Sequence, residues 1–474
     1  MPHAGNHRFE ILPEVYRVGE LIRAAGGRPV LVGGWVRDVL LGIEHRQDYD
    51  IEVFGLPMGR LRAILGRVGP VHSVGRHFGV LKLKTQGAEY DVSVPRRESN
   101  IGKGHRGFLV QPDPHMRFEE AAARRDFTIN AMGYAFLEGM LLDPFCGERD
   151  LREGILRHVG PAFGEDPLRV LRAMQFAGRF GLRIVAETLA MCRAQDLAEL
   201  PRERIWEEFR KLLLKAPRPA QGLAYAPELG VPRVLPELGA LHAAPAAPGA
   251  AETPWALTLA MLDRAALLRS GEAEPDRLLM TAALCHQLGV PAGGGPGDGM
   301  PARLAATQAF LGRLTNERAF VAAVAALLGE LETPQRLFER RAEVQPGEIR
   351  RLALRQRLPF LLRAATAHFQ ARHGALPFAA APWLEAQARA LGVWERAPEP
   401  ILLGRHLLER GMAPGPDVGS WVRLAFERQL DGEIASLDDA LAWLERRRAQ
   451  GDGPGGAAAG GTAPRPARSP GGDA

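Results

Sequence analysis

The sequence has no apolar run of the roughly 18 residues that a membrane-spanning helix needs. It has three cysteines in 474 residues, Cys146, Cys192 and Cys285. Scattered this widely, they make neither a zinc spacing nor a disulfide framework. The 13 histidines show no ligand-like clustering. The opening stretch "MPHAGNHRFE" lacks the apolar core of a signal peptide. These absences exclude membrane-spanning and disulfide-stapled classes, and the expectation is a cytoplasmic protein with no membrane association.

What is present is enough apolar material for real cores, 46% of residues, and a length that implies two to four domains. The formal net charge is +5 and nearly all basic residues are arginine. That balance permits a polyanionic partner without requiring one. Abundant Ala, Gly, Pro and Arg are explained as well by a GC-rich genome as by function. Residues 28–145 mix short β-rich runs ("PVLVGG", "YDIEVFG", "GVLKLKT", "AEYDVSV") with helices. After about residue 150 the β signals stop and helical patterns dominate, as in "DPLRVLRAMQFAGRF" and "PRERIWEEFRKLLLKA". Breaks are expected at "LHAAPAAPGAAETP" and "PAGGGPGDGMPA". The closing "GDGPGGAAAGGTAPRPARSPGGDA" has the composition of a disordered tail.

Three stretches carry chemistry. In "DYDIEV" the strand alternation puts Asp48, Asp50 and Glu52 on one face and Tyr49, Ile51 and Val53 on the other. Carboxylates this close repel unless a cation lies between them. Mg²⁺ accepts one or two carboxylates and completes its shell with phosphate oxygens. Asp91, in the later strand "AEYDVSV", is a candidate third carboxylate. The competing reading is a plain solvated strand face. Upstream, Gly33 and Gly34 stand between a strand and the helix that carries Arg37, where backbone N–H groups can approach a phosphate. "RRDFTINAM" brings Arg124 and Arg125. "EDPLRVLR" opens a helix with Asp166 as N-cap and Pro167 at the first helical position. Capping does not explain Arg169 and Arg172. At spacings of three, Asp166, Arg169 and Arg172 share a face and offer the acceptors and donors that suit a base edge.

With "LVGGWVRD…DYD", "RRDFTINAM", "DPFCGERDL", "LRHVGPAFGEDPLRVLRAMQFAGRFGL" and "ERIWEEFRKLL" in this order, the chain resembles the class II tRNA nucleotidyltransferases. These are the bacterial and eukaryotic CCA-adding enzymes, relatives of bacterial poly(A) polymerases. The resemblance is dense over about residues 28–215. It implies an α+β fold: a polymerase-β-like nucleotidyltransferase head with a mixed sheet, then an all-α neck, body and tail. The expected divisions are a head over 1–150, a neck with the nucleotide-reading helix over 151–220, a body over 221–345, a tail over 346–448 and a disordered C-terminus over 449–474. It implies Mg²⁺ held by Asp48 and Asp50, with Asp91 as the third catalytic carboxylate. It makes Gly34, Arg37, Arg125 and Arg172 nucleotide contacts, and Asp166 with Arg169 the pair that reads CTP or ATP. Where family members often carry another arginine, this chain has Gln175. The implied partners are tRNA, CTP and ATP, with no obligatory protein partner evident.

Within the family, CC-only addition, A-only addition and poly(A) synthesis are alternatives to full CCA addition. The segment "VGRHFGV" stands where poly(A) polymerases carry a basic "GRRF" pattern, and a polar loop precedes "RRDF" about where the family keeps the loop that switches from CTP to ATP. Longer relatives carry an HD phosphohydrolase domain in the body. Here Leu257, Gln287 and Val290 stand where histidine, aspartate and lysine would be, and only His286 remains. The expectation is a degenerate HD framework without hydrolase activity.

Overall fold

The computed structural model describes residues 9–43, 48–74, 79–85, 87–100, 108–290 and 299–450. The expected disordered tail therefore lies almost wholly outside the described residues, as do most of the second Pro/Gly-rich break and the tip of the polar loop. The chain divides into two compact units, residues 1–321 and 322–474.

In the first unit, β1 (Arg28–Val32), β2 (Asp48–Phe54), β3 (Val71–Val74), β4 (Val80–Lys84) and β5 (Glu89–Ser93) come first. A separate hairpin follows, β6 (Arg96–Asn100) with β7 (Phe108–Pro112), and then β8 (Gly133–Ala135) and β9 (Met140–Leu142). Seven of these make one mixed sheet in the order β3-β4-β5-β2-β1-β8-β9. Every neighbouring pair is antiparallel except β2 and β5, which run parallel with Asp50 opposite Asp91. The alternation expected in β2 is present: Tyr49, Ile51 and Val53 are buried, while Asp48 and Asp50 are exposed. The polar loop before "RRDF" is in part this hairpin, whose strands lie outside the main sheet. Its run "RRESN" carries no apolar alternation and so gave no strand signal.

The sheet is flanked by α1 (Pro13–Ala24), α2 (Gly34–Leu40), α3 (Met58–Leu65), α4 (Phe118–Ala122) and α5 (Gly147–Arg152). Beyond residue 150 the chain is mostly helical, with one correction. Residues 155–156 (β10) and 183–184 (β11) form a parallel pair too short to show periodicity. That pair brackets α6 (Leu168–Phe180). Then come α7 (Ala186–Arg193), α8 (Arg202–Lys215), α9 (Pro219–Leu223), α10 (Pro236–Ala243), α11 (Pro254–Leu267), α12 (Ala273–Cys285) and α13 (Met300–Leu314).

Aromatic packing brings the head to α6. Phe127 of "RRDF" is fully buried, edge-on to Phe163 at 5.5 Å and to Phe176 of α6 at 5.6 Å. Contacts of this kind hold aromatic rings beyond simple burial. They deliver Arg124, Arg125 and Asp126 to the start of α6. On its other side α6 packs against α8, whose Ile205, Trp206, Phe209, Leu212 and Leu213 are buried. The last carbonyls of α8 have no partner within the helix. Arg269 supplies one, donating to Leu213, Leu214 and Ala216.

The boundary between the units falls inside α14 (Arg318–Glu330). The second unit continues with α15 (Thr333–Glu339), α16 (Pro346–Arg355), α17 (Leu358–His373), α18 (Ala380–Ala390), α19 (Gly404–Glu409), α20 (Pro416–Asp431) and α21 (Leu437–Ala449). One of its cores gathers Leu402, Leu407, Trp421, Ala425, Ile434 and Trp443, with the two tryptophans edge-on at 5.9 Å. No helix among the described residues is long and apolar enough to cross a membrane.

Candidate nucleotide and metal site

The β2 and β5 carboxylates meet because the two strands are in parallel register. Asp48 lies opposite Glu89 and Asp50 opposite Asp91. Residues opposite one another point to the same face. Asp50 is crowded: loss of hydration first, and then the charges of Asp91 and Asp48, push its pKa above the usual carboxylate range. Lys82 on β4 relieves part of this, its Nζ lying 2.8 Å from Asp91. Glu52 is occupied by Arg125 at 3.3 Å.

All the donors here are carboxylate oxygens, which suits a hard cation. Among the described residues no three His, Cys, Asp or Glu side chains form a ready metal cage. A Mg²⁺ site of one or two carboxylates does not need such a cage, because phosphate and water oxygens complete it. The residues fit the ion, and the repulsion on Asp50 is of the sort a cation removes.

Gly33 follows β1 with φ +71°, a conformation that side chains rarely adopt. A β-carbon there would stand 3.4 Å from Arg125 Nη1 and 3.7 Å from Asp50 Oδ2. Both are ordinary contacts, so it is the positive φ and not a lack of space that favours glycine at this turn. Arg37, three residues into α2, is only 4% exposed. Its Nε donates to Asp38 at 2.7 Å and its Nη1 to Asn130 Oδ1 at 2.5 Å. Its guanidinium lies 4.3 Å from the centre of the Phe180 ring. Burial lowers its pKa, while Asp38 acts in the opposite sense.

The N-cap expected at Asp166 is present: Oδ1 accepts from Leu168 N at 3.0 Å. Its Oδ2 accepts from Arg204 Nη2 of α8 at 2.9 Å. Asp166, Arg169 and Arg172 line one cavity but do not pair with one another. Arg169 donates to the carbonyls of Ala162 at 2.6 Å and Arg124 at 2.7 Å. Arg172 donates through Nε to Asp126 at 2.8 Å. Burial alone would raise the Asp126 pKa, but Arg172, Asn130 and the Phe127 N–H bring it below the usual range.

The cavity has a volume of about 480 Å³ and gathers Gly34, Arg37, Arg125, Asp166, Arg169 and Arg172. It also takes in Arg179, Arg204, Lys211 and Lys215, so eight cationic side chains face two acids, Asp126 and Asp166. A second hollow of about 370 Å³ holds Asp50 and Asp91 and shares Arg125 and Arg169 with the first. Asp48 lines neither; it lies exposed at the start of β2. Sequence reasoning missed Lys82, Asp126, Asn130 and Arg204. Each acts by touching a residue it did find, across a separation that spacing does not encode.

Residues 30–157 match the poly(A) polymerase head domain. The "Multifunctional CCA protein" of Xanthomonas campestris pv. campestris is 40% identical over 269 residues, 55% of this chain and 62% of that relative. That of Stenotrophomonas maltophilia is 41% identical over 271 residues, 55% of this chain and 63% of the relative. Over that stretch the chain is similar to these CCA proteins, and its head to the poly(A) polymerase head domain. The match spans less than two thirds of the length of these curated relatives. Among solved structures, the Bacillus stearothermophilus CCA-adding enzyme in complex with CTP has a TM-score of 0.68 at 24% identity, over 93% of this chain and 99% of that one. The Thermotoga maritima CCA-adding enzyme complexed with tRNA gives 0.59 at 20% identity, over 92% and 97%. The fold of these two enzymes therefore extends over nearly the whole chain, beyond the stretch where identity is high.

Proposed function

We propose that this protein is a template-independent tRNA nucleotidyltransferase that adds C and A to tRNA 3′ ends from CTP and ATP. The observation that carries the reading is the pair of adjoining hollows. One is a cationic cavity that would take a nucleoside triphosphate. The other holds Asp50 and Asp91 and shares Arg125 and Arg169 with it. The curated relatives bear the name CCA protein, which favours CCA addition over poly(A) synthesis.

In this reading Asp48 and Asp50 hold Mg²⁺, with Asp91 beside them. The bound ion supplies Lewis acidity to the RNA 3′-hydroxyl and to the departing pyrophosphate. The hydroxyl gives up its proton to solvent as its oxygen bonds to the α-phosphorus, and the bond from that phosphorus to the bridging oxygen breaks, releasing pyrophosphate. Gly34 brings backbone N–H groups to the phosphates. Arg37 and Arg125 offset phosphate charge from a largely water-excluded wall, where fixed charges act strongly. Asp166 and Arg169 address the base edge, and Arg172 makes a further contact with the nucleotide. The Arg204 bond to Asp166 Oδ2 orients that carboxylate before a base arrives. We place this activity in the cytoplasm, where tRNA is matured.

The experiment is addition of labelled CMP and AMP to tRNAs ending before the terminal CCA, after the second C, and complete. CTP and ATP are supplied singly and together. Growth of the shortest tRNA by three nucleotides, and of the second by one A, supports the reading. Long A tracts on any RNA would make it a poly(A) polymerase.

A further inference from the structure

Three strands line up a row of charge on the carboxylate face of the sheet. Lys82 on β4 lies opposite Asp91 on β5, and Asp91 lies opposite Asp50 on β2. Two residues along, Lys84, Glu89 and Asp48 repeat the order. Opposite residues share a face and stand close enough to interact. Each aspartate of β2 is therefore followed across the sheet by a second carboxylate and then by a lysine. Lys82 Nζ donates to Asp91 Oδ1 at 2.8 Å and to Oδ2 at 2.9 Å, so one ammonium bridges both oxygens. Lys84 bonds Glu89 on the next rung. The charge of Lys82 also reaches Asp50, where it favours the ionised form. The cluster proposed to hold Mg²⁺ thus already contains a cation, placed on the carboxylate beside Asp50.

We infer that Lys82 is a resident competitor for the divalent cation, and that it thereby couples metal loading to the nucleotide. The inference rests on the metal reading proposed above. Like charges a few ångströms apart repel even in water, and a dication doubles the effect. The ammonium therefore opposes Mg²⁺ that arrives alone. It does not oppose Mg²⁺ carried on a triphosphate, because that complex is net negative and is attracted to the same charge. Lys82 makes the site take its ion with the nucleotide rather than ahead of it.

The test compares wild type with Lys82→Met, which keeps the length and removes the charge, and with Lys82→Arg, which keeps the charge. Lys82 and Asp91 are both exposed, and exposed ion pairs contribute little to stability, so the variants should melt with wild type. Mn²⁺ is the probe, because its EPR signal reports the free ion. Without nucleotide, Lys82→Met should bind Mn²⁺ about tenfold more tightly than wild type. Lys82→Arg should match wild type. Preformed Mg²⁺–CTP is titrated separately by calorimetry, and there Lys82→Met should bind no more tightly than wild type. Equal or weaker Mn²⁺ binding by Lys82→Met overturns the inference. So does a Lys82→Arg variant that gains affinity as Lys82→Met does, and so does a gain that persists in full with Mg²⁺–CTP. Asp50→Asn separates this failure from that of the metal reading. If it binds Mn²⁺ as tightly as wild type, the ion lies elsewhere, and the metal reading fails together with the inference. A loss in Asp50→Asn without a gain in Lys82→Met overturns the inference alone.

Discussion

Arg172 holds Asp126 with two donors: Nε at 2.8 Å and Nη2 at 2.7 Å both reach Oδ2. The other oxygen, Oδ1, accepts from Phe127 N and Asn130 Nδ2, each at 2.9 Å. Asn130 in turn accepts from Arg37. A single buried carboxylate thus ties an arginine of α2 to an arginine of α6 through one amide.

Asp126→Ala should therefore lower stability by about 3 kcal/mol, since it strands a largely enclosed guanidinium. Because the folded Asp126 pKa lies below its unfolded value, the carboxylate stabilises the fold above the unfolded pKa. That contribution fades as pH falls through the folded pKa. Melting curves from pH 7 to pH 2 should show wild type losing its advantage over Asp126→Asn below about pH 4. A constant difference across that range would refute the linkage.

Replacing Asp50 by Asn should separate activity from stability. Although the residue is open to solvent, its carboxylate loses part of its hydration to neighbouring side chains and is disfavoured by Asp91, so the neutral amide should leave the melting temperature unchanged or higher. Nucleotide addition should fall by about 10³-fold or more. Asp48→Ala should also abolish addition while preserving the fold, since Asp48 is exposed. Full activity in both purified variants would remove the metal assignment.

Asp166 has two separable jobs. Asp166→Asn keeps an oxygen for the Leu168 N–H but loses the charge that holds Arg204. It should retain stability while blurring the choice between CTP and ATP. Asp166→Ala should lose about 1 kcal/mol from the cap as well. Arg169→Ala should also blur selectivity, by about 1–3 kcal/mol in analogy with other base contacts. If selectivity survives in all three variants, the cap is the whole role of Asp166.

These contrasts mark what was legible in the sequence. The face shared by Asp48 and Asp50 follows from strand alternation, and the Asp166 cap from a bond two residues long. Both are local. The bonds from Arg204 to Asp166 and from Arg37 to Asn130 span 38 and 93 residues. Spacing says nothing of which elements face each other, so these were invisible. The three-residue strands β8 and β9 are too short to show alternation, although β8 pairs with β1 and β9 forms the sheet's edge beyond it.

The body should show no metal-dependent phosphohydrolase activity. His286 is buried, and its Nδ1 lies 2.9 Å from the Ala283 carbonyl. Its neighbour Gln287 is a neutral amide, a poor replacement for a charged ligand. Assays on 2′,3′-cyclic nucleotides with Ni²⁺, Mn²⁺ and Mg²⁺ should stay at background. Turnover that His286→Ala abolishes would show a working site.

In the proposed reaction one protein reads two nucleotides in sequence without a template. The most direct measurement is sequencing the 3′ ends of a tRNA lacking its terminal CCA after incubation with Mg²⁺ and equimolar CTP and ATP. Ends of C, C, A in that order are expected, with addition stopping there. Ends that halt at CC, runs of A, or no addition at all would contradict it.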